Sequence, residues 1–93
     1  MKIDRRGQEY VHLKITGAPT DAATPEVTFN GTSWHPLVWD GPDKASVSIL
    51  VAGPDMPAPS GVVLPLGSYL PVVRLVDNPE TLIREAAGTV EIV

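Results

Sequence analysis

Two histidines, His12 and His35, are the side chains of this sequence best suited to move a proton near neutral pH. Hydrolysis by a serine nucleophile would need one of them beside a Ser on a strained turn, with a carboxylate behind it. No Gly-x-Ser-x-Gly occurs, and neither histidine sits in a motif. His12 falls on the polar side of an alternating run and is expected in solvent. His35, between Trp34 and Pro36, is expected packed or hydrogen-bonded. With no cysteine and two histidines in distant segments, zinc lacks a ligand set. Asp40, Asp43 and Asp55 would meet only if their loops shared one end of the fold, and calcium asks for about six oxygens. No Gly-rich phosphate loop leads into a helix. Asn30-Gly31-Thr32 fits the N-glycosylation pattern but reads more simply as a turn. The expectation is therefore a chain with no catalytic, metal or cofactor-binding residues, and not an enzyme.

The elements that would carry these residues are strands. No segment shows a helical period, whereas alternation of period two recurs. Val11, Leu13 and Ile15 share one face of a run, with His12 and Lys14 on the other. Gly17 to Asp21 ends it. Val27 and Phe29 point inward on the next strand, and Asn30-Gly31 predicts a type I′ hairpin turn. The returning strand, Thr32 to Trp39, is interrupted by Pro36, which predicts an edge or a bulge there. Asp40 to Asp43 is a turn, and Ala45 to Ala52 is the cleanest strand. Gly53 to Gly61 holds three prolines and two glycines and predicts a stiff surface loop. Val62 to Leu64, Tyr69 to Val76, Thr81 to Ile83 and Thr89 to Val93 complete the strands, with Val90 and Ile92 inward and a turn at Asp77-Asn78-Pro79.

Seven or eight short strands, with turn signals roughly every ten residues, predict an all-β domain: an immunoglobulin-like β-sandwich of antiparallel strands. Leu64-Pro65-Leu66-Gly67-Ser68-Tyr69 fits the tyrosine corner of such domains, where the hydroxyl bonds backbone at the corner and the ring packs inward. Val73 and Leu75 then belong to the core, and Trp39 is preferred over Trp34 for its centre.

At 93 residues the chain holds one core. Its 43% apolar content is enough to bury one, which sets wholesale disorder aside. The absence of cysteine, and of an apolar run after Met1-Lys2-Ile3-Asp4-Arg5-Arg6, leads to the expectation of folding in the cytosol without a secretory leader. No stretch approaches the ~18 apolar residues of a membrane span.

Charge is uneven. Residues 1–6 sum to +2 and the remainder to −6. An acidic body with five aromatic residues speaks against a nucleic-acid binder. The basic end reads either as a solvated terminus or as a docking arm, residues 1–6, ahead of a domain at 7–93. What remains for function is association. The candidate contacts are Lys2, Arg5 and Arg6 in the arm, and Leu50, Leu70, Val72 and Val76 on sheet faces opposite the core. Met56 in the proline-rich loop is a further anchor.

Five stretches in order carry a resemblance: Ser33-Trp34-His35-Pro36 with Trp39; Ile49-Leu50-Val51-Ala52-Gly53-Pro54; Leu66 to Tyr69; Val73 to Glu80; and Ala87 to Ile92. Over residues 25–93 the chain resembles small immunoglobulin-like proteins encoded among the structural genes of tailed phages of actinobacteria. The resemblance implies a virion component of the head or head–tail junction, assembled in the host cytoplasm, with no catalytic residues. The leading expectation is a capsid-associated or decoration protein whose partner is the major capsid protein, with self-association possible. Neither nucleic acid nor membrane is an expected partner. A neck or tail component, and a stand-alone protein- or carbohydrate-binding module, are the alternatives. A sugar-binder would expose Trp34 or Trp39 as a stacking platform.

Overall fold

The longest ladder joins β2 (Gln8–Lys14) and β6 (Ser46–Ala52), seven residues each, antiparallel from Gln8 opposite Ala52 to Lys14 opposite Ser46. Alternation decides its faces: Val11 and Ile49 meet on the buried side, and Tyr10 and Leu50 on the other. A computed structural model describes residues 1–15, 25–42, 45–77 and 80–93, with backbone alone at 76, 77 and 80. The turns expected around Gly17, Asp43 and Asn78-Pro79 lie outside the described residues.

The other strands are β1 (Lys2–Ile3), β3 (Glu26–Thr28), β4 (Trp34–Pro36), β5 (Val38–Trp39), β7 (Val62–Val63), β8 (Gly67–Tyr69), β9 (Val72–Asp77), β10 (Glu80–Glu85) and β11 (Val90–Ile92). They form three sheets, ordered β1-β11-β8, β10-β9-β3-β4 and β2-β6-β5, with β7 parallel to β6. All described secondary structure is β. Inward residues of every sheet pool in one core: Val11, Val47 and Val51 from the third, Val27 and Val73 from the second, Ile3, Val90 and Ile92 from the first.

Pro36 stands in β4, at an edge of its sheet, where a missing N–H costs no ladder bond. The expected Thr32–Trp39 strand is in fact two. Leu37, buried, marks the crossing from the β3 ladder to the β6 ladder. The type I′ turn at Asn30-Gly31 is corrected as well. Gly31 has φ +85°, but Asn30 is not in the left-handed region. Instead the Asn30 Oδ1 accepts the N–H groups of Thr32 and Ser33, at 2.9 and 2.8 Å, and organises a wider loop from Thr28 to Trp34.

Tyr69 to Val76 is likewise two strands in different sheets. The break is at Leu70-Pro71, matched across the hairpin by the break between β10 and β11, and the Ala86 N–H donates to the Pro71 carbonyl at 2.8 Å. Pro71, Val73 and Leu75 are buried, so the expected core face survives the break. The Tyr69 hydroxyl donates to the Pro65 carbonyl at 2.7 Å while its ring packs edge-on to Phe29, as the tyrosine-corner reading required.

Within residues 1–6, β1 pairs in parallel with β11, and Ile3 is wholly buried. The Arg5 N–H donates to the Val93 carbonyl at 2.7 Å, and its own carbonyl accepts from Asp55 N–H at 2.8 Å. An isoleucine with no exposed surface belongs to the core, and Ile3 packs in the same cluster as Val90 and Ile92.

Candidate functional site

The sequence-predicted contacts fall on three places. At one end of the molecule the backbone turns tightly through Asp4 and Arg6. The Gly7 N–H donates to the Asp4 carbonyl, and the Arg6 guanidinium bonds the Asp4 carboxylate at 2.9 and 3.0 Å. These bonds, with that from the Arg6 N–H, hold the Asp4 carboxyl well below the usual carboxylate range. Onto this turn folds the start of the proline-rich loop. Gly53 lies so close to the Arg5 backbone that no Cβ would fit, and Asp55 N–H is bonded to the Arg5 carbonyl. Backbone bonds thus join the turn that carries exposed Arg5 and Arg6 to the start of the loop that carries half-buried Met56. Leu66, 50% exposed, precedes Gly67, which pairs with Ile92 beside the same end. Lys2 is exposed on β1, opposite Glu91 in the ladder.

Leu70 is exposed at the β8–β9 break and Val72 is half-buried in β9. Val76 is opposite Thr81 in the backbone ladder, and its side chain lies outside the described residues. This second face is not an uninterrupted apolar patch. Beside Val72 it carries Arg74, whose guanidinium bonds Glu26 at 2.8 Å and stacks 4.1 Å from the centre of the Trp34 ring. Trp34 is thereby engaged within the chain, and Trp39 packs against the core, so neither is an open stacking platform.

The third place was only partly legible. Leu50 is half-buried at the floor of a shallow groove of about 840 Å³ on the outward face of β2 and β6, bounded by Tyr10, His12, Val38 and Ser60. Tyr10 and Val38 are 58% and 67% exposed. His35 also lines it, with its ring 6.4 Å from Phe29, so both histidines of the chain reach one surface. Next to the groove the His12 Nδ1 meets the Asp40 Oδ2 at 3.2 Å, and the Ser46 hydroxyl donates to the same oxygen at 2.7 Å. Hydrogen bonds from Ser46, Ser48 and His12 lower the Asp40 carboxyl from its ordinary value. The strand register explains the cluster: His12 and Val38 both lie opposite Ser48, on either side of β6. Period-two alternation predicted the exposure of His12, but the pairing of distant strands that brings Asp40 to it is not written in local pattern.

Ser46 donates to the Asp40 carboxylate and not to the imidazole, so the three groups are not ordered as a Ser–His–Asp relay. Among the described residues no three His, Cys, Asp or Glu side chains converge as metal ligands, and no helix is long and apolar enough to cross a membrane. No family model matches the sequence, and comparison with curated proteins and with solved structures found no match.

Proposed function

We propose that this chain is a non-enzymatic structural protein of a tailed-phage virion, an immunoglobulin-like domain seated on the capsid by protein–protein contacts. The immunoglobulin-like reading is supported by the Tyr69–Pro65 hydrogen bond and by the parallel pairing of the first strand with the last. The virion reading rests on the resemblance over residues 25–93. The observation that carries an association role is the end surface, where a basic segment and a proline-stiffened loop are locked together through Arg5 and Gly53. A rigid loop loses little entropy on docking, and the joined segments offer a cation, Arg5, and an apolar anchor, Met56. Repetition on a symmetric shell would make weak individual contacts sufficient.

The test is quantitative mass spectrometry of purified particles of the source phage. A copy number equal to the major capsid protein, or a simple fraction of it, is expected. In a co-sedimentation assay with particles lacking the chain, the Arg5→Glu, Met56→Asp double variant should lose attachment while its melting temperature stays close to the parent. Absence of the chain from particles would sink the virion reading. Undiminished attachment of the double variant would move the contact away from this end.

A further inference from the structure

The groove over Leu50 is built from parts that the assembly reading does not use. An exposed polar contact contributes little to stability, yet His12 is held in one orientation by Asp40, which Ser46 fixes in turn. A carboxylate can only accept, so the His12 Nδ1 carries the proton it shares with Asp40. In the neutral imidazole that leaves the Nε2 as an acceptor, on a ring whose side chain is 64% exposed. Beside it stands the Tyr10 ring, its centre 6.3 Å away and the planes inclined at 38°, more than half exposed. A strand register that puts a tyrosine and an oriented imidazole on one outward face, beside Leu50 and with exposed Ser60 at hand, combines a flat apolar plate with directional polar groups.

We propose that this groove binds a neutral saccharide. A sugar ring has an apolar face of C–H groups, which suits the exposed Tyr10 ring, and an equatorial girdle of hydroxyls. Those hydroxyls can donate to the neutral His12 Nε2 and exchange hydrogen bonds with the exposed Ser60. The groove is shallow and open, so it fits a stretch of an extended oligosaccharide better than a small molecule that must be enclosed. Charge selects the class. The Asp40 carboxylate at the groove and the net charge of −4 disfavour uronic or sialic acids and phosphorylated sugars. The site is independent of the assembly reading, because its residues are not those of the Arg5–Met56 end.

The experiment is NMR titration of the labelled full chain with cellohexaose, maltohexaose and chitohexaose, and with oligogalacturonate as the anionic counterpart. Saturable shifts centred on the amides of Tyr10, His12 and Ser48 are expected with at least one neutral probe. Tyr10→Ala should weaken that binding roughly tenfold, the loss of one aromatic stacking contact, and His12→Ala should weaken it as well. Met56→Asp should leave it unchanged. Both groove side chains are largely exposed, so their variants fold. The proposal is overturned if none of the three neutral probes gives saturable shifts at the groove. Binding that survives Tyr10→Ala, a preference for oligogalacturonate, or groove shifts that follow protein concentration without sugar would each overturn it too.

Discussion

Replacing Ile3 by Ala tests whether the first six residues are architecture or appendage. Ile3 has no exposed surface, and its carbonyl accepts the Val93 N–H at 3.0 Å while β1 runs parallel to β11. Truncating a fully buried Ile to Ala costs about 2–5 kcal/mol, the lost transfer energy plus the cavity left behind. A chain of this size has a total stability of roughly 5–14 kcal/mol, so the loss is a large fraction of it. At a urea dependence of about 1.5 kcal/mol per molar, a loss of about 3 kcal/mol moves the unfolding midpoint down by about 2 M. Trp39, packed against the core, gives the fluorescence signal. Lys2→Ala, on the exposed side of the same strand, is the control and should stay within about 0.5 kcal/mol of the parent. Removing residues 1–6 altogether should be at least as damaging as Ile3→Ala, since it also removes the Arg5 carbonyl that holds Asp55. An Ile3→Ala midpoint indistinguishable from the parent, together with a cooperatively folding truncation, would refute the packing and restore a free arm.

Gly53→Ala should destabilise by about 1–3 kcal/mol in the same urea assay, because its Cβ would strike the Arg5 backbone, which has no side-chain rotamer to yield. Tyr69→Phe should cost about 1 kcal/mol by removing the hydroxyl bonded to Pro65 while leaving the ring in place; a neutral result would show that the corner bond contributes nothing. Acid should weaken the fold through Asp4 and Asp40, whose carboxyls are both lowered in the folded chain. A lowered folded value means stability that is present above the unfolded value of about 3.9 and is lost as pH falls through the folded one. Melting curves below about pH 4 should therefore decline less steeply for Asp40→Asn than for the parent, and identical slopes would remove Asp40 from this account.

Period-two alternation carried most of the fold. It placed Val11, Val27, Val73, Leu75, Val90 and Ile92 inward, and all are buried. What alternation could not supply was where a run changes sheet. Leu37 and Pro71 sit inside segments that read as single strands, but each hands the chain from one ladder to another. Such a handover depends on which distant strand offers free backbone groups, and that is a property of topology. The same limit hid the role of Ile3. Between Lys2 and Asp4 it has no alternating neighbours to reveal a face, and a two-residue strand leaves no periodic trace. Charge drew attention to the segment, while the single apolar residue within it fixes its place.

The candidate surfaces divided along the same line. Arg5, Arg6 and Met56 were singled out one by one from charge and loop chemistry, and long-range backbone bonds join the segments that carry them. Leu50 was singled out as an apolar residue on the wrong face of its strand, but its neighbours Tyr10, His12 and Val38 come from two other strands. The end surface rests on the Asp4–Arg6 turn and Gly53, the groove on the β2–β6 register and Asp40, and the Gly53–Gly61 loop runs from one to the other. Side-chain variants at Met56, in that loop, and Tyr10, on β2, should act additively. The Met56→Asp variant should keep the parent's sugar affinity, and Tyr10→Ala should weaken that affinity with attachment unaltered. If Tyr10→Ala detached the chain from the particle, the groove would be a protein contact, and both assignments would collapse into one surface.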